Sequence, residues 1–286
     1  MSVNEPTEAA GSPVRAKSSS DLRPRLIAGA VMAVVALALA YAGPKPFAVL
    51  VLAVALIMCW EWGKVVRGEE YGTALVIHVL AVAAAGVLTA MGHAVLGVAA
   101  VIVGTIVLLV MPLGQRRLMS AAGVLYVGLP TIAMLWLRGD EPLGLLAVLF
   151  MFVIVWGSDI GAFAAGRGIG GPKLWPRVSP NKTWSGFVGG LAAAFAGGAL
   201  FSLLVPGGSS VTLGLTGLVL AIVAQAGDLA ESALKRGFGV KDSSQIIPGH
   251  GGVMDRADSI VAVSVAVAIM ALIVKAGSPA RALLGV

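Results

Sequence analysis

Between two strongly apolar runs, residues Gln225 to Asp258 read QAGDLAESALKRGFGVKDSSQIIPGHGGVMDRAD and hold five of the chain's fourteen acidic residues and four of its twenty basic ones. If the stretch from Val211 is one helix, Asp228, Glu231, Ser232 and Lys235 fall at i, i+3, i+4 and i+7. Two carboxylates, a hydroxyl and an ammonium then share one face. The segment Gly237 to Met254 contains Pro248-Gly249-His250-Gly251-Gly252, where glycine lets backbone approach a ligand and present N–H groups to an anion. Asp255 and Asp258 follow, one turn apart, at the start of the next apolar run. Carboxylates suit a hard divalent cation, and Lys or Arg suits phosphate. Together they form the inventory of metal-assisted phosphoryl or nucleotidyl transfer. Asp255-Arg256-x-Asp258 at a helix start reads as a metal and anion site. His250 reads equally as a loop residue and as a ligand or base.

Three further places extend the constellation. Asp159 lies inside another apolar run, and a charge at membrane depth is expensive to keep without a function. Ser179-Pro180 predicts the N-cap and first residue of a helix. That would put Lys182 and Thr183 in its first turn, where free N–H groups, helix dipole and ammonium favour a phosphate.

The elements that must position these groups are membrane helices. With 58% hydrophobic and 12% charged residues, and a mean hydropathy of +0.95, an ordinary soluble domain is excluded. Apolar runs fall at about Leu26–Tyr41, Phe47–Trp62, Thr73–Met91, Ala94–Met111, Leu118–Trp136, Leu143–Ala165, Thr183–Val205, Val211–Ser232 and Ala257–Val274. Most approach the roughly 20 residues that a bilayer core demands. The expectation is an all-α polytopic integral membrane protein of about nine transmembrane helices. Residues 1–25 read as a disordered cytosolic tail, 26–142 as about five N-terminal spans, and 143–286 as a catalytic region of about four spans with cytosolic loops 166–182 and 235–256. With the N-terminus inside, sixteen of the twenty Lys and Arg fall on the inner side and four on the outer. The positive-inside rule therefore places both chemistry-bearing segments in the cytosol. The net charge of +6 is spread through short loops between apolar runs, as contacts to lipid phosphate would be, and nucleic acid is not an expected partner. The lone Cys59 can build neither a disulfide nor a thiolate metal site, and the six Trp read as interfacial anchors. The Ala- and Gly-rich stretch Gly189-Gly190-Leu191-Ala192-Ala193-Ala194 permits close helix approach.

The string Ser232-x-Leu234-Lys235-Arg236-x4-Lys241-Asp242-x-Ser244-x2-Ile247-Pro248-x-His250-Gly251-Gly252-Val253-x-Asp255-Arg256-x-Asp258 closely resembles the motif of the phosphatidate cytidylyltransferases, the CDP-diacylglycerol synthases. Ala257 stands where that family usually has a bulkier residue. A second segment, from Ser158-Asp159-Ile160-Gly161-Ala162 through Gly166-Arg167 to Ser179-Pro180-Asn181-Lys182-Thr183-Trp184-Ser185-Gly186, is also similar. There Asn181 and Ser185 replace the usual Lys and Glu, so neither is given chemistry. The likeness covers Phe150 to the C-terminus, and the first half only in its hydropathy.

The resemblance implies CTP + phosphatidic acid → CDP-diacylglycerol + pyrophosphate, with a homodimer as the expected assembly, and the short N-terminus without transit-peptide character and the compact loops point to a bacterial plasma membrane. The attacking phosphate monoester is already ionised near neutral pH, so the site must manage charge rather than supply a strong base. Asp228 and Asp255 are the leading metal ligands, with Glu231, Asp258 and Asp159 as further ones for one Mg²⁺ or two. Asp228, Asp255, Lys235 and Arg256 form the expected catalytic set. Lys182, Thr183, Ser179, Ser232, Arg236, Lys241, His250, Gly251 and Gly252 are expected to bind substrate phosphates. The acyl chains require a cavity open to both cytosol and bilayer between the last four spans. Two rivals stay open: a CTP-dependent kinase of lipid alcohols, and an ion-coupled transporter using Asp159, Asp228 and Glu231. A CDP-alcohol phosphotransferase is disfavoured, because its Asp-Gly-x2-Ala-Arg pattern is missing.

Overall fold

The computed structural model describes residues 22–68, 71–113, 116–247 and 251–286. The expected tail 1–25 and His250 therefore fall wholly or largely outside the described residues. Helices form wherever the apolar runs predict them: α1 Leu22–Ala42, α2 Pro44–Arg67, α3 Thr73–Ala90, α4 Ala94–Val110, α5 Arg117–Arg138, α6 Gly144–Gly168, α7 Trp184–Phe201, α8 Ser210–Gly237 and α9 Met254–Lys275. A short α10, Pro279–Leu284, closes the chain. Among the described residues, α2, α3, α5, α6, α8, α9 and the stretch Trp184–Leu204 are long and apolar enough to cross a membrane, while Ile27–Ala42 and α4 are shorter apolar helices. The protein is an all-α polytopic membrane protein.

One expectation fails between α6 and α7. Ser179–Thr183 is not the start of a helix; it is strand β2, paired antiparallel with β1, Lys173–Trp175, so that Lys173 faces Thr183 and Trp175 faces Ser179. The residue before a proline is pushed toward extended backbone, and here a partner strand is at hand to use it. The N-cap is Thr183, whose hydroxyl oxygen accepts from Gly186 N at 3.1 Å, and α7 begins at Trp184. Ser179 therefore belongs to the hairpin, and Lys182 precedes the helix.

Small residues set the spacing of the helices that carry the site. A Cβ at Gly161 of α6 would overlap Ala193, and one at Gly189 of α7 would overlap Ala165, so these two helices cross nearly backbone to backbone. Gly227 of α8 meets Asp258 O and Ala262 of α9 in the same way. One buried cluster joins α5 to α10 around Phe150, Met151, Ile154, Leu213 and Val263. Another joins α2, α3, α5 and α9 through Met58, Cys59, Trp62, Val127, Met254 and Val261. The α9 helix therefore packs on both halves of the chain. Trp62 is a packing group rather than an interfacial anchor: it is 4% exposed, its ring lies tilted against Tyr126 with centroids 4.9 Å apart, and it donates from Nε1 to Met119 O at 2.9 Å.

Candidate functional site

The last turns of α8 do present Asp228, Glu231, Ser232 and Lys235 together, and the neighbouring elements divide them into two groups. In the first, Lys235 Nζ bridges Glu231 Oε2 at 2.6 Å and Asp255 Oδ1 at 2.5 Å, an i,i+4 pair closed by a carboxylate from α9. All three side chains are at most 10% exposed. Asp255 also accepts from Ser243 N at 3.0 Å and from Gly252 N at 2.8 Å through Oδ2. It folds the segment between α8 and α9 onto the start of α9.

A residue absent from the sequence reading completes that segment. Glu61 of α2 is fully buried, and its Oε1 accepts from Ser244 Oγ at 2.5 Å and Val253 N at 2.9 Å. Its Oε2 accepts from Met254 N at 2.6 Å. The first amides of α9 lack intrahelical acceptors, and a carboxylate at the positive end of the helix satisfies them. Of the Gly-rich stretch expected to offer amides to substrate, Gly252 gives its N–H to Asp255, while the next two amides, of Val253 and Met254, go to Glu61. Gly251 takes a left-handed φ of +82° and bridges to Ile247, which only glycine does without strain. The signal for Glu61 lay in the sequence as a carboxylate inside an apolar run between Trp60 and Trp62.

The second group is more open. Lys182 Nζ sits 2.6 Å from Asp228 Oδ2, with the two side chains 24% and 30% exposed, and Ser232 Oγ donates to Asp228 Oδ1 at 3.3 Å. Asp159 of α6 and Asp258 of α9 lie within electrostatic reach of Asp228 and of each other, and Arg256 and Lys182 within reach of Asp159. Asp258 Oδ1 accepts from Ser259 N at 2.6 Å. Tyr126 of α5, also unforeseen, has a buried hydroxyl with no hydrogen-bond partner among the described residues, within electrostatic reach of Glu231, Asp258, Asp255 and Asp228. A tyrosine in an apolar run gives little sequence signal.

Other expected phosphate-binding residues stand apart. Arg236 is exposed and donates to Val240 O at 3.4 Å, and Lys241 is exposed beside it. Thr183 is committed to capping α7 and shares a hydrogen bond with Ser185 Oγ at 3.0 Å. Among the described residues no three His, Cys, Asp or Glu converge as a metal-holding group. The five expected metal ligands are split, Asp255 and Glu231 on Lys235, Asp228 on Lys182, and Asp159 and Asp258 within electrostatic reach of Asp228. A shallow cavity of about 220 Å³ lies at the far ends of α3, α5 and α9, lined by Thr89, Asp140 and Pro279 among others, and includes none of these residues.

The arrangement of carboxylates and cations on three membrane helices can be set beside known sequences. Residues 23–274 match the family described as the cytidylyltransferase family. The chain belongs to that family. A phosphatidate cytidylyltransferase of Brucella suis biovar 1 is 42% identical over 246 residues, covering 85% of this chain and 90% of that protein. Phosphatidate cytidylyltransferases of Bacillus subtilis and Staphylococcus saprophyticus are 40% and 45% identical over 141 and 145 residues, about half of each chain. Family membership covers both halves of the molecule, so α2 with Glu61 and α5 with Tyr126 lie within the matched region.

Proposed function

We propose that this chain is a phosphatidate cytidylyltransferase: a phosphate oxygen of phosphatidic acid attacks the α-phosphorus of CTP, the bond to the bridging oxygen of the β-phosphate breaks, and pyrophosphate leaves. The observation that carries the reading is the Lys182–Asp228 pair, half-open beside Asp159, Asp258 and Arg256 at one end of α6, α8 and α9. It joins phosphate-binding cations to oxygen donors in a protein whose relatives of known name make CDP-diacylglycerol.

The residues divide the work. Lys182 can exchange Asp228 for a substrate phosphate oxygen, because a partly exposed ion pair is worth little. Arg256 is exposed beside the carboxylates and serves the triphosphate. Lys235, Asp255 and Glu231 hold the segment in place. The named groups comprise five carboxylates against the cations Lys182, Lys235 and Arg256, and an excess of hard oxygen donors fits Mg²⁺. Asp159, Asp228 and Asp258 do not converge as a three-carboxylate cluster, so they would hold it only together with oxygens of the triphosphate, and when bound it supplies charge neutralisation there. The asymmetry of Lys and Arg supports a cytosolic site in a bacterial inner membrane, with the acyl chains kept in lipid. A homodimer, implied by the resemblance, is checked by mass in detergent.

Purified protein in detergent with Mg²⁺ and CTP should release pyrophosphate when phosphatidic acid is added. Release of CDP with a polyprenol acceptor, and no pyrophosphate with phosphatidic acid, would make it a lipid-alcohol kinase instead.

A further inference from the structure

A carboxylate taken fully out of water survives only where hydrogen bonds replace its hydration. Glu61 meets that condition with three donors among the described residues, Ser244 Oγ, Val253 N and Met254 N, more than 180 positions away in sequence. Two of them are the amides of the α9 N-cap, Val253, and first residue, Met254, and the next amide upstream, Gly252 N, is held by Asp255. Three consecutive amides are thereby fixed by two carboxylates, one of which is the partner of Lys235. The fit is close: a Cβ at Gly252 would overlap both Ser243 Oγ and Glu61 Oε1.

We infer that Glu61 is a positioning residue for nucleotidyl transfer. From α2, in the other half of the chain, it clamps Ser244 and the start of α9 at Val253 and Met254 so that Arg256 and Asp258 enter the site at fixed positions. The inference rests on the functional reading above, in that the clamped residues serve that reaction. It gives the N-terminal helices a task beyond filling the bilayer. It also explains the glycine at 252, where any side chain would push the clamp open. A displacement of about 1 Å at reacting groups costs on the order of 100-fold in rate, so loosening this clamp reaches the chemistry without touching a substrate.

Substitution of Glu61 in the full-length protein tests it. Glu61→Gln keeps the shape but turns one acceptor into a donor, and Glu61→Ala removes both. Per folded protein, kcat/KM for CTP should fall about tenfold and about 100-fold respectively. Ser244→Ala, which removes one donor of three, should lower it about threefold. Hydrogen exchange at the Val253 and Met254 amides should speed up in both Glu61 variants while α6 and α7 exchange as in the wild type. Gly252→Ala combined with Glu61→Ala should be no worse than the poorer single variant, because both open the same clamp. Wild-type exchange at Val253 and Met254 in Glu61→Ala would overturn the assignment by itself. So would an activity loss accounted for wholly by lost folded protein, or losses that multiply in the double variant. Wild-type protein that released no pyrophosphate would sink the functional reading, and the exchange measurement would still decide whether Glu61 holds the segment.

Discussion

Lys235 and Lys182 each place an ammonium 2.6 Å from a carboxylate of α8, Glu231 in one case and Asp228 in the other. Around Lys235 the carboxylates are at most 7% exposed and one of them also takes backbone amides, whereas Lys182 and Asp228 keep about a quarter of their surface. The same residue types, three positions apart on one helix, therefore do different work. Buried charges must be matched in place, and removing one partner leaves an uncompensated ion. A partly exposed pair can trade its partner for water or a phosphate. Ion-pair chemistry alone does not mark a reacting group; access does.

The sharpest test of that contrast is Asp228→Asn. Phosphatidate-dependent pyrophosphate release should fall on the order of 1,000-fold, in the range seen when one electrostatic group is removed from a site. The melting temperature in detergent should stay near the wild type, since a partly exposed pair contributes only about 0–1 kcal/mol. A large drop in melting temperature would make the Lys182 pair structural too. Lys235→Met should do the opposite first: leaving Glu231 and Asp255 unpaired lowers stability by about 3–5 kcal/mol. Thermal denaturation would show it, and adding Glu231→Gln should recover part of the loss. Asp258→Asn should raise the Mg²⁺ concentration for half-maximal activity roughly tenfold, as loss of a ligand-sphere group does. An unchanged Mg²⁺ titration would remove Asp258 from the cation site. Smallest is Lys182→Gln, expected to raise KM for CTP about tenfold, or roughly 1.4 kcal/mol, with little change in melting temperature. An unchanged KM would leave Lys182 as no more than the resting partner of Asp228.

Much of this was readable in residue order. The apolar runs set where the helices lie, because the hydrophobic requirement of a bilayer acts on each segment separately. The shared face of Asp228, Glu231, Ser232 and Lys235 follows from helical periodicity alone, and the structure pairs Ser232 with Asp228 and Lys235 with Glu231. The reading of Ser179-Pro180 failed because the same dipeptide suits a helix start and an extended strand, and only β1 decides between them.

Residue order by itself therefore determined a polytopic helical membrane protein of the cytidylyltransferase kind, with its acids, cations and glycines gathered near the ends of two helices. Only the tertiary structure decided which acids are sealed and which are reachable, and that the amides of Gly252, Val253 and Met254 belong to Asp255 and Glu61. The physical reason is range. Periodicity and hydropathy act over a few residues, whereas a carboxylate on α2 finds its donors at the start of α9 only when packing brings the two helices together.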